Sequence, residues 1–152
     1  MAAPSSPAPT WADHAAERLA EAGFRRGGAR AAVVELLDAQ PCALSAYDIE
    51  QALRDTGDRA VARASVYRIL DELEELKLVS RIDVGQGITR YEPIRPGGHH
   101  HHMVCDACGT IVPFADDALE RAIDRLAKRV TFAVDEHEIV LHGRCADCAP
   151  AA

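Results

Sequence analysis

Two pairs of cysteines constrain this chain more than any other sequence feature. Four of its five cysteines form two CxxC motifs, Cys105–Cys108 and Cys145–Cys148. Each CxxC turn can place two thiolates on one ion, and two turns complete a closed tetrahedral Zn²⁺ site of the structural kind. About 36 residues separate the motifs, so a small domain must bring both of its ends to the metal. Unpaired buried thiols or two disulfides are the alternatives, which a reducing cytoplasm disfavours.

Four consecutive histidines precede the first of these motifs. If this run enters a strand, successive side chains point to opposite faces. His99 and His101 would then face one way, and His100 and His102 the other. One run could therefore supply two ligands to each of two further metal sites, unless it is a solvated, histidine-rich loop. The residues that could complete such sites are Glu92, Glu120 and His137.

The charge balance limits the classes of partner. The formal net charge is −7, from 17 Lys and Arg against 24 Asp and Glu, which argues against non-specific binding of polyanions. It leaves room for a nucleic-acid reader whose arginines share one face. No apolar run approaches the roughly 18 residues of a membrane-spanning helix. We therefore expect a soluble, cytoplasmic protein with no membrane partner.

The first part of the chain has the pattern of a winged helix–turn–helix domain. Residues 1–10 are rich in Pro, Ser and Ala and predict a disordered leader. Two β-like segments joined by a glycine-rich turn then follow a series of amphipathic helices. Helices closed by such a wing predict a DNA-binding domain over residues 11–93, with its last helix in the major groove. The predicted helices and strands cover 11–21, 30–39, 45–54 with Ser45 as N-cap, about 64–77, 78–83 and 88–92.

The last of these helices has a basic beginning and an acidic end. Arginines, including Arg59, cluster at its start, and acids fill its second half, so the basic end would enter the groove. Arginine can contact a phosphate or a guanine edge, and tyrosine a phosphate or a thymine methyl. An ordinary surface helix with intrahelical ion pairs is the alternative. The candidate DNA contacts are Arg25, Arg30, Arg63, Ser65, Tyr67 and Arg68.

Beyond this domain the chain changes character. Prolines and glycines concentrated just after residue 92 predict a hinge over residues 94–98. Residues 99–152 predict a small α/β domain, which makes the whole chain α+β. Such a minidomain needs its zinc and a partner chain for stability. Its predicted elements are strands over 103–105, 110–112, 131–134 and 138–142, and a helix over 116–129.

Several motifs together resemble the ferric uptake regulator family of bacterial metal-responsive repressors. The resemblance runs from about Phe24 to Cys148. It is carried by the helix motif Ala64–Leu70, by Arg90-Tyr91-Glu92, by the histidine run with its CxxC, and by Gly143–Cys148.

The resemblance implies an N-terminal winged-helix domain and a C-terminal dimerisation domain. It also implies a homodimer that binds a pseudo-palindromic operator in double-stranded DNA when a regulatory metal is bound. The four CxxC cysteines match the family's structural zinc ligands. Glu92, His100 and His102 would form a regulatory hinge site. A third site would be formed by His99, His101, Glu120 and His137.

Two departures from the family pattern bear on which metal is sensed. Many relatives place a histidine just before the third helix, where this chain has Cys42-Ala43-Leu44. Some zinc-sensing relatives have a cysteine where Ile94 stands here. A site of Glu and His suits Fe²⁺, Mn²⁺, Ni²⁺ or Zn²⁺, and a Cys42 ligand would favour zinc. We expect Cys42 to fill the core instead.

Two other classes of function compete with a regulator. A small zinc hydrolase could use the histidines with Glu120 as a base. The chain lacks HExxH spacing and its cysteine site is closed, so we expect no enzymatic activity. A zinc-ribbon interaction module is the other alternative.

Overall fold

The computed structural model describes residues 9–25, 27–57 and 60–149. The chain divides into two compact units, residues 1–96 and 97–152. Most of the predicted leader lies outside the described residues, and so does Arg59, one of the arginines at the start of the helix predicted to enter the major groove. None of the helices in the described part of the chain combines the length and the apolar character needed to cross a bilayer.

Two helices of the first unit begin at the same kind of cap. Helices α1 (Trp11–Glu21) and α3 (Ala46–Asp55) start at Thr10 and Ser45. Each N-cap hydroxyl accepts from the backbone N–H of the aspartate three residues on, and the carboxylate of that aspartate accepts from the backbone N–H of the N-cap residue. These capping boxes satisfy donors that a helix start leaves free. The prediction that Ser45 caps a helix is confirmed, and Thr10, which we predicted to be part of the leader, caps α1.

The other two helices of this unit complete its core. Helices α2 (Gly28–Ala39) and α4 (Arg63–Glu75) start within two residues of their predicted positions. Val66, Ile69, Leu70 and Leu73 of α4 are buried, as expected for the apolar face of an amphipathic helix that packs on the rest of the unit. The largest fully buried side chains of this unit include Leu37, Ile49, Ile69, Leu70, Leu73 and Tyr91.

A three-stranded antiparallel sheet forms the wing. Strands β2 (Val79–Asp83) and β3 (Thr89–Pro93) pair as the predicted hairpin. The two-residue strand β1 (Leu44–Ser45) pairs with the other edge of β3, giving the order β1-β3-β2. Tyr91 lies opposite both Arg81 and β1 and is buried. Because β1 is so short, the sequence pattern did not predict it.

Over residues 97–149, the second unit consists of a small sheet and one helix. It contains β4 (His101–Cys105), β5 (Ile111–Phe114), α5 (Asp117–Arg129) and β6 (Val140–Gly143). Strand β4 is central, antiparallel to β5 and parallel to β6. Acidic residues in the first turn of α5 and basic residues in its last turn match the helix dipole. The α+β fold class is confirmed.

Two predictions are wrong. Residues 131–134 do not form a strand, because Thr131 has φ of +53° and turns the chain out of an extended path. Phe132 and Val134 are exposed. Cys42 is exposed and does not fill the core, because its neighbour Ala43 is the residue that is buried.

One face of the second sheet is apolar and exposed. Met103 lies beside Val112 on one side and Leu141 on the other. These three side chains are 41%, 45% and 49% exposed. The described residues of α5 include none that is buried. The three side chains thus form an exposed apolar row across the sheet.

Candidate metal centre

The sheet register brings the two CxxC motifs together. Strand β4 ends at Cys105 and β6 runs parallel to it, with the backbone N–H of Asp106 donating to the Gly143 carbonyl at 2.9 Å. The four Sγ atoms lie within 4.8 Å of one another, and Cys108 and Cys145 Sγ are 3.7 Å apart. A tetrahedron with zinc–sulfur bonds of about 2.3 Å has edges of about 3.8 Å. The cysteines are free thiols, and their spacing fits zinc.

The electrostatics of this cluster also fit a cation. Hydrogen bonds from the backbone of Cys145 and Cys108 lower the pKa of Cys105 to about 6. A hydrogen bond with the Thr110 hydroxyl lowers the pKa of Cys108. Hydrogen bonding within the cluster, first with Cys145, raises the pKa of Cys148 to about 12. Ionisation of Cys105 thus opposes ionisation of Cys148, and a divalent cation held among the four thiols would offset this repulsion.

A second cluster lies within the same unit. It consists of His99, His101, Glu120 and His137, whose candidate ligand atoms lie within 4.8 Å of one another. The Nε2 atoms of His99 and His137 are 3.0 Å apart. Glu120 oxygens lie 2.8 Å from His101 Nε2 and 3.0 Å from His137 Nε2. Metal–ligand bonds of about 2.0–2.1 Å give tetrahedral edges of about 3.3–3.4 Å, so this cluster has the dimensions of a metal site.

A strand, a helix and two connecting segments position these ligands. His101 begins β4, His99 lies just before it, Glu120 lies in the first turn of α5, and His137 lies in the segment before β6. The hydrogen bond with His101 lowers the pKa of Glu120, and the charges of His137 and His99 act in the same direction. The carboxylate is therefore stabilised in its ionised form, which is the form that binds a metal.

The remaining two histidines of the run pair separately. The rings of His100 and His102 have centroids 4.9 Å apart, whereas those of His99 and His101 are 4.7 Å apart. Alternation along the run thus separates the histidines into two pairs, as its period of two requires. Glu92, predicted to join His100 and His102, lies on β3 in the first unit.

The match to a family model decides what kind of protein this is. The model described as the ferric uptake regulator family matches residues 21–142, which is most of the chain and includes the histidine run and the first CxxC motif. The chain belongs to the ferric uptake regulator family. It is a metal-responsive, DNA-binding transcriptional regulator with the repressor role of that family.

Relatives of this ferric uptake regulator family member match along nearly their whole length. The ferric uptake regulation protein of Bacillus subtilis is 31% identical over 139 residues, covering 90% of this chain and 93% of the relative. The Helicobacter pylori ferric uptake regulator Fur, described with three functional metal binding sites, has a TM-score of 0.80, 26% identity and coverage of 93% and 94%. The Pseudomonas aeruginosa regulator, described with manganese, has a TM-score of 0.71, 29% identity and coverage of 86% and 97%.

The predicted DNA contacts of the regulator occupy two kinds of environment. Tyr67 and Arg68 are exposed on the first half of α4, and Ser65 is half-buried there. Arg25 is exposed before α2. Together with the hydrogen bond from Arg30, the nearby charge of Arg68 lowers the pKa of the Glu72 carboxyl.

The other two predicted contacts are held by carboxylates. Arg30 donates from Nε and Nη2 to both oxygens of Glu72, at 2.6 and 2.9 Å. Arg63 donates from Nε to Glu50 at 2.6 Å. Neither partner could be predicted from the sequence, because Glu72 and Glu50 are 42 and 13 residues distant from the arginines that they hold. For the pair of Arg63 and Glu50, the only sequence signal was that Glu50 directly follows Ile49, which lies on the apolar face of α3.

Proposed function

We propose that this regulator acts as a homodimer that binds a pseudo-palindromic operator when a regulatory divalent metal, iron or zinc, is bound. The observation that carries the proposal is the division of the histidine run into two pairs. One short segment, directly after the boundary between the two units, can thereby serve two metal sites. The place of action is the cytoplasm, where a bacterial operator and the metal pool meet.

In this proposal the four CxxC cysteines hold a structural Zn²⁺. The support is the 3.7 Å separation between Cys108 and Cys145 Sγ and the lowered pKa of Cys105. Zinc held there supplies folding free energy, because it fastens the two ends of the second unit to each other. The closed set of four thiolates leaves no ligand position for a substrate.

The proposed regulatory site is formed by Glu92, His100 and His102, and the third site by the other two histidines of the run with Glu120 and His137. The support is the ring pair of His100 and His102 and the converging ligand atoms around Glu120. Nitrogen and oxygen ligands suit Fe²⁺, Zn²⁺, Mn²⁺ or Ni²⁺. The Pseudomonas aeruginosa structure described with manganese supports an ion of this class.

The proposed regulatory site takes its ligands from both units, and regulation follows from this. Glu92 belongs to the first unit and the histidines to the second, so a shared ion favours one arrangement of the winged-helix domains. The two α4 helices of a dimer must lie about 34 Å apart to read both half-sites. The coupling is reciprocal: operator DNA tightens metal binding by the same factor by which the metal tightens operator binding. The coupling free energy is typically about 1–3 kcal/mol.

The proposed dimer surface is the apolar row of the second sheet together with α5. Met103, Val112 and Leu141 lie side by side and exposed. A second copy would remove this row from water, and each square ångström of buried apolar surface stabilises by about 25 cal/mol. We expect Met103→Glu to shift the protein to the monomer in sedimentation velocity, whereas Glu138→Ala leaves it dimeric.

Operator binding with and without metal tests the whole proposal. Duplexes selected from a randomised library with Mn²⁺-loaded protein serve as probes in fluorescence anisotropy. We expect binding with Mn²⁺, Fe²⁺ or added Zn²⁺, loss of binding with a mild chelator that leaves the cysteine-bound zinc in place, and a steep dependence on salt.

Two double variants separate the regulatory site from general charge effects. We expect Glu92→Ala with His100→Ala to abolish the dependence on metal. The matched control is His14→Ala with Glu17→Ala, which removes an exposed histidine and an exposed glutamate from α1 and should leave that dependence unchanged. Metal-dependent operator binding that survives in the first double variant would refute the hinge site.

A further inference from the structure

Arg63, the first residue of α4, is held on two sides. Its Nε donates to Glu50 Oε2 at 2.6 Å, and its guanidinium carbon lies 5.0 Å from the centroid of the Tyr47 ring. The side chain is nevertheless 49% exposed. One edge and one face of the guanidinium are therefore in contact with protein, while about half of the side chain stays open to solvent.

Glu50 is built to hold this arginine. It is only 8% exposed, and glutamate is rarely so buried unless it is paired. Its second oxygen accepts from Arg54 Nη2 at 2.9 Å. A carboxylate with both oxygens engaged cannot rotate freely, so it holds the Arg63 guanidinium in one orientation.

The position of Arg63 makes this orientation useful. The start of α4 has no side-chain cap and no acidic residue in its first turn, so its positive end is not compensated locally. In helix–turn–helix proteins the N-terminal residues of the second helix contact base edges. Guanine O6 and N7 accept two hydrogen bonds from one arginine, which is the most common specific contact in the major groove.

We propose that Arg63 reads a guanine in each operator half-site, with Glu50 and Tyr47 as positioning residues. This inference rests on the proposed function, because it assumes that α4 enters the major groove. With Nε bonded to Glu50, the two terminal nitrogens are left for guanine. Holding the guanidinium in advance reduces the rotamer entropy lost on binding and keeps the side chain from turning to a nearby phosphate.

Selection from a randomised duplex library tests the inference through base preference. The Mn²⁺-loaded full-length protein and its variants are compared position by position in the enriched sequences. Arg63→Ala and Arg63→Lys should each lower the preference for guanine at one position per half-site by about tenfold. Glu50→Gln and Tyr47→Leu should weaken preference at that same position severalfold while the dependence of binding on salt stays the same.

Arg54→Ala is the matched comparison, since it frees the other oxygen of Glu50 and leaves the Arg63 contact. It should weaken the preference for guanine at that position less than Glu50→Gln does, and it should leave the preferences at all other positions unchanged. Urea unfolding monitored by Trp11 fluorescence establishes which variants are folded. If Glu50→Gln fails to fold, Arg63→Lys decides the question, because it keeps the charge and loses the planar guanidinium.

The outcomes separate this inference from the function on which it rests. If Arg63→Lys or Glu50→Gln leaves base preferences unchanged, or Arg63→Ala weakens all duplexes equally and reduces the salt slope by about one, Arg63 is not a base reader. If the wild-type protein enriches no sequence with any of the metals, the proposed function itself is wrong.

Discussion

Glu72→Gln removes the charge that holds Arg30 and so tests whether that ion pair ties α4 to α2. The two side chains are 22% and 12% exposed. Breaking a fully buried pair by removing one partner costs about 3–5 kcal/mol, and breaking an exposed pair about 0–1 kcal/mol. Because this pair is mostly buried and glutamine keeps one acceptor, we expect a loss of about 2 kcal/mol in the free energy of unfolding.

The lowered pKa of Glu72 also predicts how the stability difference between wild type and Glu72→Gln depends on pH. The hydrogen bond from Arg30 lowers the pKa of Glu72 in the folded protein, whereas an unfolded glutamate titrates near pH ~4.3. The folded state thus binds fewer protons, so the stabilisation is fully present above that unfolded pKa. It is lost as pH falls through the lower folded pKa. The difference between wild type and Glu72→Gln should persist between about pH 5 and 7 and narrow on acidification.

Trp11 provides the assay. It is the only tryptophan of the chain and is buried in α1, so its fluorescence follows unfolding of the first unit in urea. With an m value of about 2 kcal/mol per molar urea, the midpoint should fall by about 1 M. Glu75→Gln, an exposed change on the same helix, is the control. A midpoint that moves by less than about 0.2 M, or a difference unchanged by acid, would refute the reasoning.

Three further predictions concern other parts of the molecule. Leu70→Ala, at a fully buried position of α4, should lower the free energy of unfolding in urea by about 3 kcal/mol with an unchanged m value. A loss below about 1 kcal/mol would contradict the tight packing around Leu70. Cys145→Ser should lose the tightly bound zinc, as seen by metal analysis, and should unfold the second unit. The first unit, followed by Trp11 fluorescence, should keep its urea midpoint. Zinc retained at the wild-type level would contradict the four-thiolate site. Arg95→Ala should lower the free energy of unfolding by about 1 kcal/mol. Arg95 donates to the side chain and to the carbonyl of Asp38 at 2.8 and 3.0 Å, although its own side chain is 43% exposed. Equal stability of the variant and the wild type would contradict this prediction.

Features that depend on neighbouring residues could be predicted from the sequence. The capping box at Ser45 acts over three residues, so the start of α3 could be predicted to the residue. The histidine pairs follow from the period of two along an extended chain. Both CxxC motifs are turns in which four residues suffice to present two thiols.

Features that depend on distant residues could not be predicted in the same way. The pattern over residues 131–134 alternates like a strand, but the chain turns at Thr131 and the described segment has no strand beside it. Strand β1 exists only because β3 lies next to it. Cys42 and Ala43 have similar apolar character, and packing alone decided which of the two is buried.

The sequence by itself determined the helices, the hairpin, the cysteine motifs and the membership of two ligand pairs, because each depends on local spacing or a local cap. Tertiary structure alone decided which carboxylates hold Arg30 and Arg63, and it brought Glu120 and His137 to His99 and His101. The physical reason is that a charged side chain can satisfy its hydrogen bonds with any suitable partner. Only the packing of the helices and strands determines which partner lies within about 3 Å.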